Sequence, residues 1–229
     1  VKRERGVIPE DPLERANHLK SFAYYNDASQ AGVCALTPEM FLDAPVVNPE
    51  VARLAEDMQT RQTKTLAAGV DVIMADLKEA MARPPSSVTH HTHALVFLHE
   101  FPRDPERDEP GADWIMGCQE ERACLRGAEA QAIISNYIRL LGWEARGHTR
   151  AASDVDLNKL CVAAGLGEVV DGVLMNPYLG ARFGVTAVTT MFELAPDKPL
   201  AGERSLKSHG PGWWFGKGHA KSAINQEAF

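Results

Sequence analysis

The chain has 229 residues, of which 45% are hydrophobic and 24% charged, a globular composition and a length that buries a core without disulfide scaffolding. Its 24 basic and 31 acidic side chains leave a formal charge of −7, and aromatics make up 7%. That balance argues against a protein built to grip a phosphate backbone or to stack single-stranded bases.

Asp11, between Pro9 and Pro12, is a candidate N-cap. Leu13, Ala16, Leu19, Phe22 and Ala23 follow at helical spacing, and the predicted helix closes at Gly32 before a short strand over 33–36. Pro49 opens a second helical region. Val51, Leu54, Ala55 and Met58 form one stripe; Leu66, Val70, Ile73, Met74, Leu77 and Met81 continue it as core-packing positions. Arg83-Pro84-Pro85 stops it. The apolar run Ala94 to Leu98 predicts a strand buried on both faces.

Before that strand stands His90-His91-Thr92-His93. No Cys, Asp or Glu lies next to it in sequence to complete a ligand set, so no metal site is assigned. Residues 102–113 read as a solvated loop. Asp113 is expected to cap one long helix from Trp114 to Leu141, and its small residues Gly127, Ala128, Ala130 and Ala132 would let a backbone or flat ligand approach. Gly142 ends it, a strand follows over 143–148, and Asp154 or Asp156 starts a shorter helix. The last predicted strand is Val185 to Phe192. The four cysteines, Cys34, Cys118, Cys124 and Cys161, form no Cys-x-x-Cys pair and read as free thiols of a reducing compartment. No run of about 18 apolar residues predicts a membrane span. The basic start Val1 to Arg5 is neither a secretory signal nor a twin-Arg leader, so the expected location is cytoplasmic. The expected fold class is α/β (α+β), a three-layer sandwich with helices packed around a central sheet.

The segment Ala163-Ala164-Gly165-Leu166-Gly167-Glu168 places its glycines after a helix, the reverse of a dinucleotide loop. Leu174-Met175-Asn176-Pro177, Gly180-Ala181-Arg182 and Val188-Thr189-Thr190 follow. Together these resemble the corrinoid-binding core of cobalamin-dependent reductive dehalogenases and, more distantly, epoxyqueuosine reductase. Tyr137 to Ala145 resembles the family's Leu-Gly-Tyr-x-Ala strand approach, Ser21-Phe22 through Gly32-Val33 its first helix and strand, and Leu194 to Leu200 the stretch before its cluster domain. The resemblance covers residues 16–200, between an N-terminal extension (1–15) and an aromatic, basic tail or linker (201–229). It implies a nitroreductase-like sandwich, with cobalamin, if held, against Gly165, Leu166, Gly167, Pro177 and Tyr178.

The chain departs from the family at telling places. Val170-Asp171 stands where a Gly-Arg pair is usual, Tyr178-Leu179 replaces Glu-Tyr after Pro177, and no cysteine follows Cys161, whereas the family holds two 4Fe–4S clusters through later cysteine motifs. The expectation is a degenerate, non-catalytic structural or docking domain of a system that removes halide reductively from an organohalide, with no iron–sulfur cluster and no cofactor of its own. Its partner would be a complete dehalogenase core, in the same polypeptide or complex, or a second copy of itself, and neither nucleic acid nor membrane. The alternative is a cobalamin-binding protein or enzyme with an external electron donor; a flavin-binding nitroreductase relative is a further one. Catalytic residues remain unassigned, because neither Tyr137 nor Tyr178 maps onto the family's acid.

Overall fold

The computed structural model describes residues 7–60, 70–82, 86–201 and 205–206. Asp11 caps α1 (Pro12–Tyr25) through Oδ1, which accepts the Leu13 N–H at 3.0 Å. The helix stops well before Gly32. The Asn26 side chain bonds back to the Phe22 carbonyl, and Asp27 turns to φ 63°. Gly32 instead sits inside β1 (Gln30–Ala35), where a Cβ would meet the Ala164 carbonyl oxygen at 2.7 Å. Strand β2 (Phe41–Val46) follows, then α2 (Pro49–Thr60) and α3 (Val70–Ala82), which pack on each other. Their apolar stripe is not core as expected: Val51, Leu54, Ile73 and Leu77 are all exposed. Leu66 lies outside the described residues.

Strand β3 (His93–Glu100) is buried on both faces from Ala94 to His99. The expected long helix is two: α4 (Ala112–Ile115) and α5 (Gln119–Leu141). Gly117 separates them at φ 84°, a left-handed conformation that no helix continues through, and Asp113 lies inside α4 and caps nothing. Strands β4 (Ala145–His148) and β5 (Ser153–Val155) lead to α6 (Leu157–Ala163). Asp156 is its cap, accepting the Asn158 and Lys159 N–H groups, whereas Asp154 is a strand residue. Strands β6 (Glu168–Val170), β7 (Val173–Met175) and β8 (Phe183–Thr190) are the last strands among the described residues.

The main sheet runs β1-β3-β8-β4, antiparallel throughout. Val33, Leu95, Phe97 and Val188 point to one face, under Ala16, Leu19 and Ala23 of α1 and Ala130, Ile134 and Ile138 of α5. Cys34, Ala94, Val96, Leu98 and Ala187 point to the other, under Leu160 and Cys161 of α6, Val155 of β5 and Leu166. Strand side chains alternate by two, so the unbroken apolar run in β3 serves both layers. The result is the three-layer mixed fold expected. Among the described residues no helix is long and apolar enough to cross a membrane.

Beyond β8 the chain recrosses the first layer. Asp197 accepts the Val33 N–H at 2.8 Å and pairs with Lys20 at 2.6 Å. Farther on, Glu168 Oε2 accepts from Ser205 Oγ and the Leu206 N–H, each at 3.0 Å, and Leu206 is 1% exposed. This part of the tail folds back on the domain. Deletion from residue 203 is therefore expected to lower stability, by about 1.5–3 kcal/mol for Leu206 alone, which a melting curve checks. The aromatic run Trp213-Trp214-Phe215 lies outside the described residues.

Candidate functional site

A cleft of about 810 Å³ opens beside the start of β8. Phe183 to Thr186 form its floor and Cys124, Leu125 and Ala128 of α5 one wall; Leu42, Val46 and Val155 from the paired strands β2 and β5 form the other. Asp156 and Asn158 at the start of α6 edge it, and at the rim Arg150 pairs with Glu120 and Glu121. The volume lies in the range of small-molecule clefts. At the floor, Thr186 Oγ1 is buried with no hydrogen-bond partner among the described residues; His99, in the sheet behind the cleft, has its pKa lowered by burial. Gly127 is the reason α5 comes so close: a Cβ there would meet Thr186 Cγ2 at 2.6 Å. Of the small residues singled out on α5, Ala128 lines the cleft, whereas Gly127 and Ala130 are buried in helix–sheet packing.

None of Gly165, Leu166, Gly167, Pro177 and Tyr178 lines this cleft. The structure gives three of them packing work. Gly165 N donates to the Val162 carbonyl and Leu166 N to the Cys161 carbonyl, at 3.1 and 3.0 Å, the paired bonds of a Schellman stop. Gly165 has φ 70°, and a Cβ on it would land against the Lys198 carbonyl oxygen; one on Gly167 would meet the Met175 oxygen at 2.7 Å. Leu166 is buried against Cys161. Pro177 and Tyr178 belong to a loop organised by Asn176, whose Oδ1 accepts the Tyr178 and Leu179 N–H groups and whose Nδ2 donates to the Leu166 carbonyl. Tyr178 is 85% exposed, and Tyr137 packs its ring on Phe22. At the Val170-Asp171 departure, Asp171 (φ 51°) and Gly172 (φ 83°) make a two-residue hairpin turn between β6 and β7. The Asp-Gly pair is a type I′ signal that was present in the sequence.

All four cysteines are described and free. Burial pushes the Cys34 and Cys161 thiols up to about 12, which leaves about one thiolate in 10⁴ at pH 8. Burial also raises Cys124, while Cys118 is exposed. A thiol reagent is expected to label Cys118 first and to reach Cys34 and Cys161 only on unfolding; mass spectrometry of the labelled peptides checks the order.

A second polar centre lies at the far end of β8. Thr189 Oγ1 stands 2.8 Å from both His91 Nδ1 and His148 Nε2. The Asp154 N–H donates to His148 Nδ1 at 3.3 Å, so His148 donates to Thr189 from Nε2. Burial, with Arg146 and His91 nearby, lowers the His148 pKa to about 3. The histidine run does have an acid: Glu144, distant in sequence, places Oε2 2.5 Å from His90 Nε2 and 3.9 Å from His91 Nε2. Sequence adjacency could not reveal it, because the contact exists only when β4 and β3 flank β8.

No protein-family model matches the chain, and a comparison with curated proteins found no match. Among solved structures, the catabolic reductive dehalogenase NpRdhA is 38% identical over 91% of this chain, with a TM-score of 0.63. A reductive dehalogenase structure described in terms of B12-dependent dehalogenation gives the same identity and coverage and a TM-score of 0.64. The chain spans about a quarter of the length of these proteins, 24% and 23%. Epoxyqueuosine reductase from Streptococcus thermophilus also matches, at 15% identity and a TM-score of 0.47, over 81% of this chain and 48% of that one; that likeness carries no weight. The chain is thus similar in sequence and fold to a quarter-length segment of reductive dehalogenases.

Proposed function

We propose that this chain is a structural and docking module of a cobalamin-dependent reductive dehalogenase system, a degenerate copy of the corrinoid-binding core that performs no dehalogenation itself. The closed turn at Gly165–Gly167 carries this reading. The Lys198 and Met175 carbonyls stand where a Cβ on Gly165 or Gly167 would lie, which supports a turn packed against its own chain rather than against a flat ligand. The Asp171-Gly172 hairpin in place of a Gly-Arg pair supports the same view. The exposed stripe Val51, Leu54, Ile73 and Leu77 supports docking, since apolar patches on soluble proteins mark interaction surfaces. The proposed occupant is a complete dehalogenase core, in the same polypeptide or complex, because the similar proteins extend over three further quarters of chain. The proposed compartment is the cytoplasm, consistent with free thiols.

The cleft favours a second reading, in which the chain binds cobalamin and takes electrons from an external donor. Its small and apolar walls and the unpartnered Thr186 hydroxyl are what a ligand would use. One experiment separates the two: purify the complete dehalogenase core with and without this chain, and measure bound corrinoid and turnover per corrinoid. The module reading expects a lower yield of folded core without the chain, at unchanged turnover and one corrinoid per core throughout. A second equivalent of corrinoid that appears only with the chain would sink it.

A further inference from the structure

We propose that His90, His91 and Glu144 form a zinc site at the edge of the main sheet, independent of the function proposed above. Two imidazole nitrogens and a carboxylate oxygen are donors of the type that zinc takes, with a fourth position left to water. The three ligand atoms, one from each residue, lie within 4.8 Å of one another. A zinc ion bonded at 2.0–2.2 Å holds its ligands about 3.3 Å apart in a tetrahedron. The present separations, 2.5 Å from His90 to Glu144 and 3.9 Å from His91 to Glu144, bracket that value.

The adjustment falls on the residues free to make it. The side chains of His90 and Glu144 are 46% and 69% exposed, whereas His91 is 3% exposed and fixed. His91 has the support that a metal-bound imidazole needs. Its Nδ1 lies 2.8 Å from Thr189 Oγ1; in the tautomer that binds a metal, an Nδ1–H would donate to that hydroxyl and leave the Nε2 lone pair on the Glu144 side. A second-shell oxygen on the far ring nitrogen is the usual way a protein sets the ligand tautomer. Thr189 is in turn held by His148 on β4. The ion would tie the turn before β3 to the turn before β4, the two segments that flank the end of β8. His93, in the same histidine run, bonds to Thr92 and lies outside the cluster.

The test is a zinc titration of the full chain against a chromogenic chelator, repeated with cobalt(II) to read the visible d–d bands. One equivalent of zinc is expected at micromolar affinity or better. His90→Ala and Glu144→Gln should each weaken it at least about tenfold and remove the cobalt bands. Both side chains are at the surface, so circular dichroism should be unchanged. A His93→Ala variant and a His209→Ala/His219→Ala double variant should bind as the parent does. No bound zinc, an affinity unchanged by either His90→Ala or Glu144→Gln, or a loss in either control variant would overturn the site.

Discussion

Replacing Gly165 by alanine is expected to lower stability by about 3 kcal/mol or more, a drop of roughly 6–12 °C in Tm for a domain of this size. Two effects combine. The residue has φ 70°, and the added methyl would strike the Lys198 carbonyl oxygen, a backbone atom held in place by Asp197 bonding to Val33. Gly117→Ala separates the two effects. Its φ is 84°, but among the described residues nothing lies within 4 Å of the position a Cβ would take, so the conformational cost of about 1 kcal/mol applies without a clash. Gly167→Val is expected to match Gly165→Ala for one reason, close approach to the Met175 carbonyl at 2.7 Å. Equal melting temperatures for the Gly165 and Gly117 variants would show that the turn is not closed against Lys198.

Acidification is expected to destabilise the fold steeply below pH 6.5. His148 is fully buried, and its pKa in the fold is about 3 against an ordinary value of 6.5. Between those values the unfolded chain holds a proton that the folded chain does not, so stability falls as pH falls, by about 1.4 kcal/mol per pH unit for each such proton. Burial lowers His99 as well, which adds to the same slope. His148 alone accounts for about 2–3 kcal/mol between pH 6.5 and 4.5. Calorimetric unfolding at several pH values checks this, together with His148→Gln, whose amide keeps a donor for Thr189 but does not titrate. The variant should lose close to one proton from the uptake on unfolding at pH 5; an unchanged uptake would place the titration elsewhere.

The sheet and its helices were legible because their signals are local. The Asp11 and Asp156 caps, the unbroken Ala94–Leu98 run and the Gly142 stop each depend on neighbours in sequence, and the structure keeps them. What was not legible depended on partners far along the chain. Gly32 reads as a helix stop until Ala164 is seen against it, and nothing near Gly165–Gly167 in sequence shows that the Lys198 and Met175 carbonyls pack against that turn. The short strands β2, β5, β6 and β7 carry too few residues for a period to show. Glu144 joins His90 and His91 only through the pairing of β4 and β3 with β8. The stripe on α2 and α3 has helical spacing but stays exposed, because periodicity reports an apolar face and not what covers it.

The central claim, a core-like domain whose corrinoid turn is shut, is tested most directly by one spectrum. Purified chain is mixed with excess hydroxocobalamin, desalted, and read across the visible range. The closed turn predicts a protein fraction without cobalamin absorbance, with all colour in the small-molecule fraction. Retained colour at one equivalent per chain would contradict it.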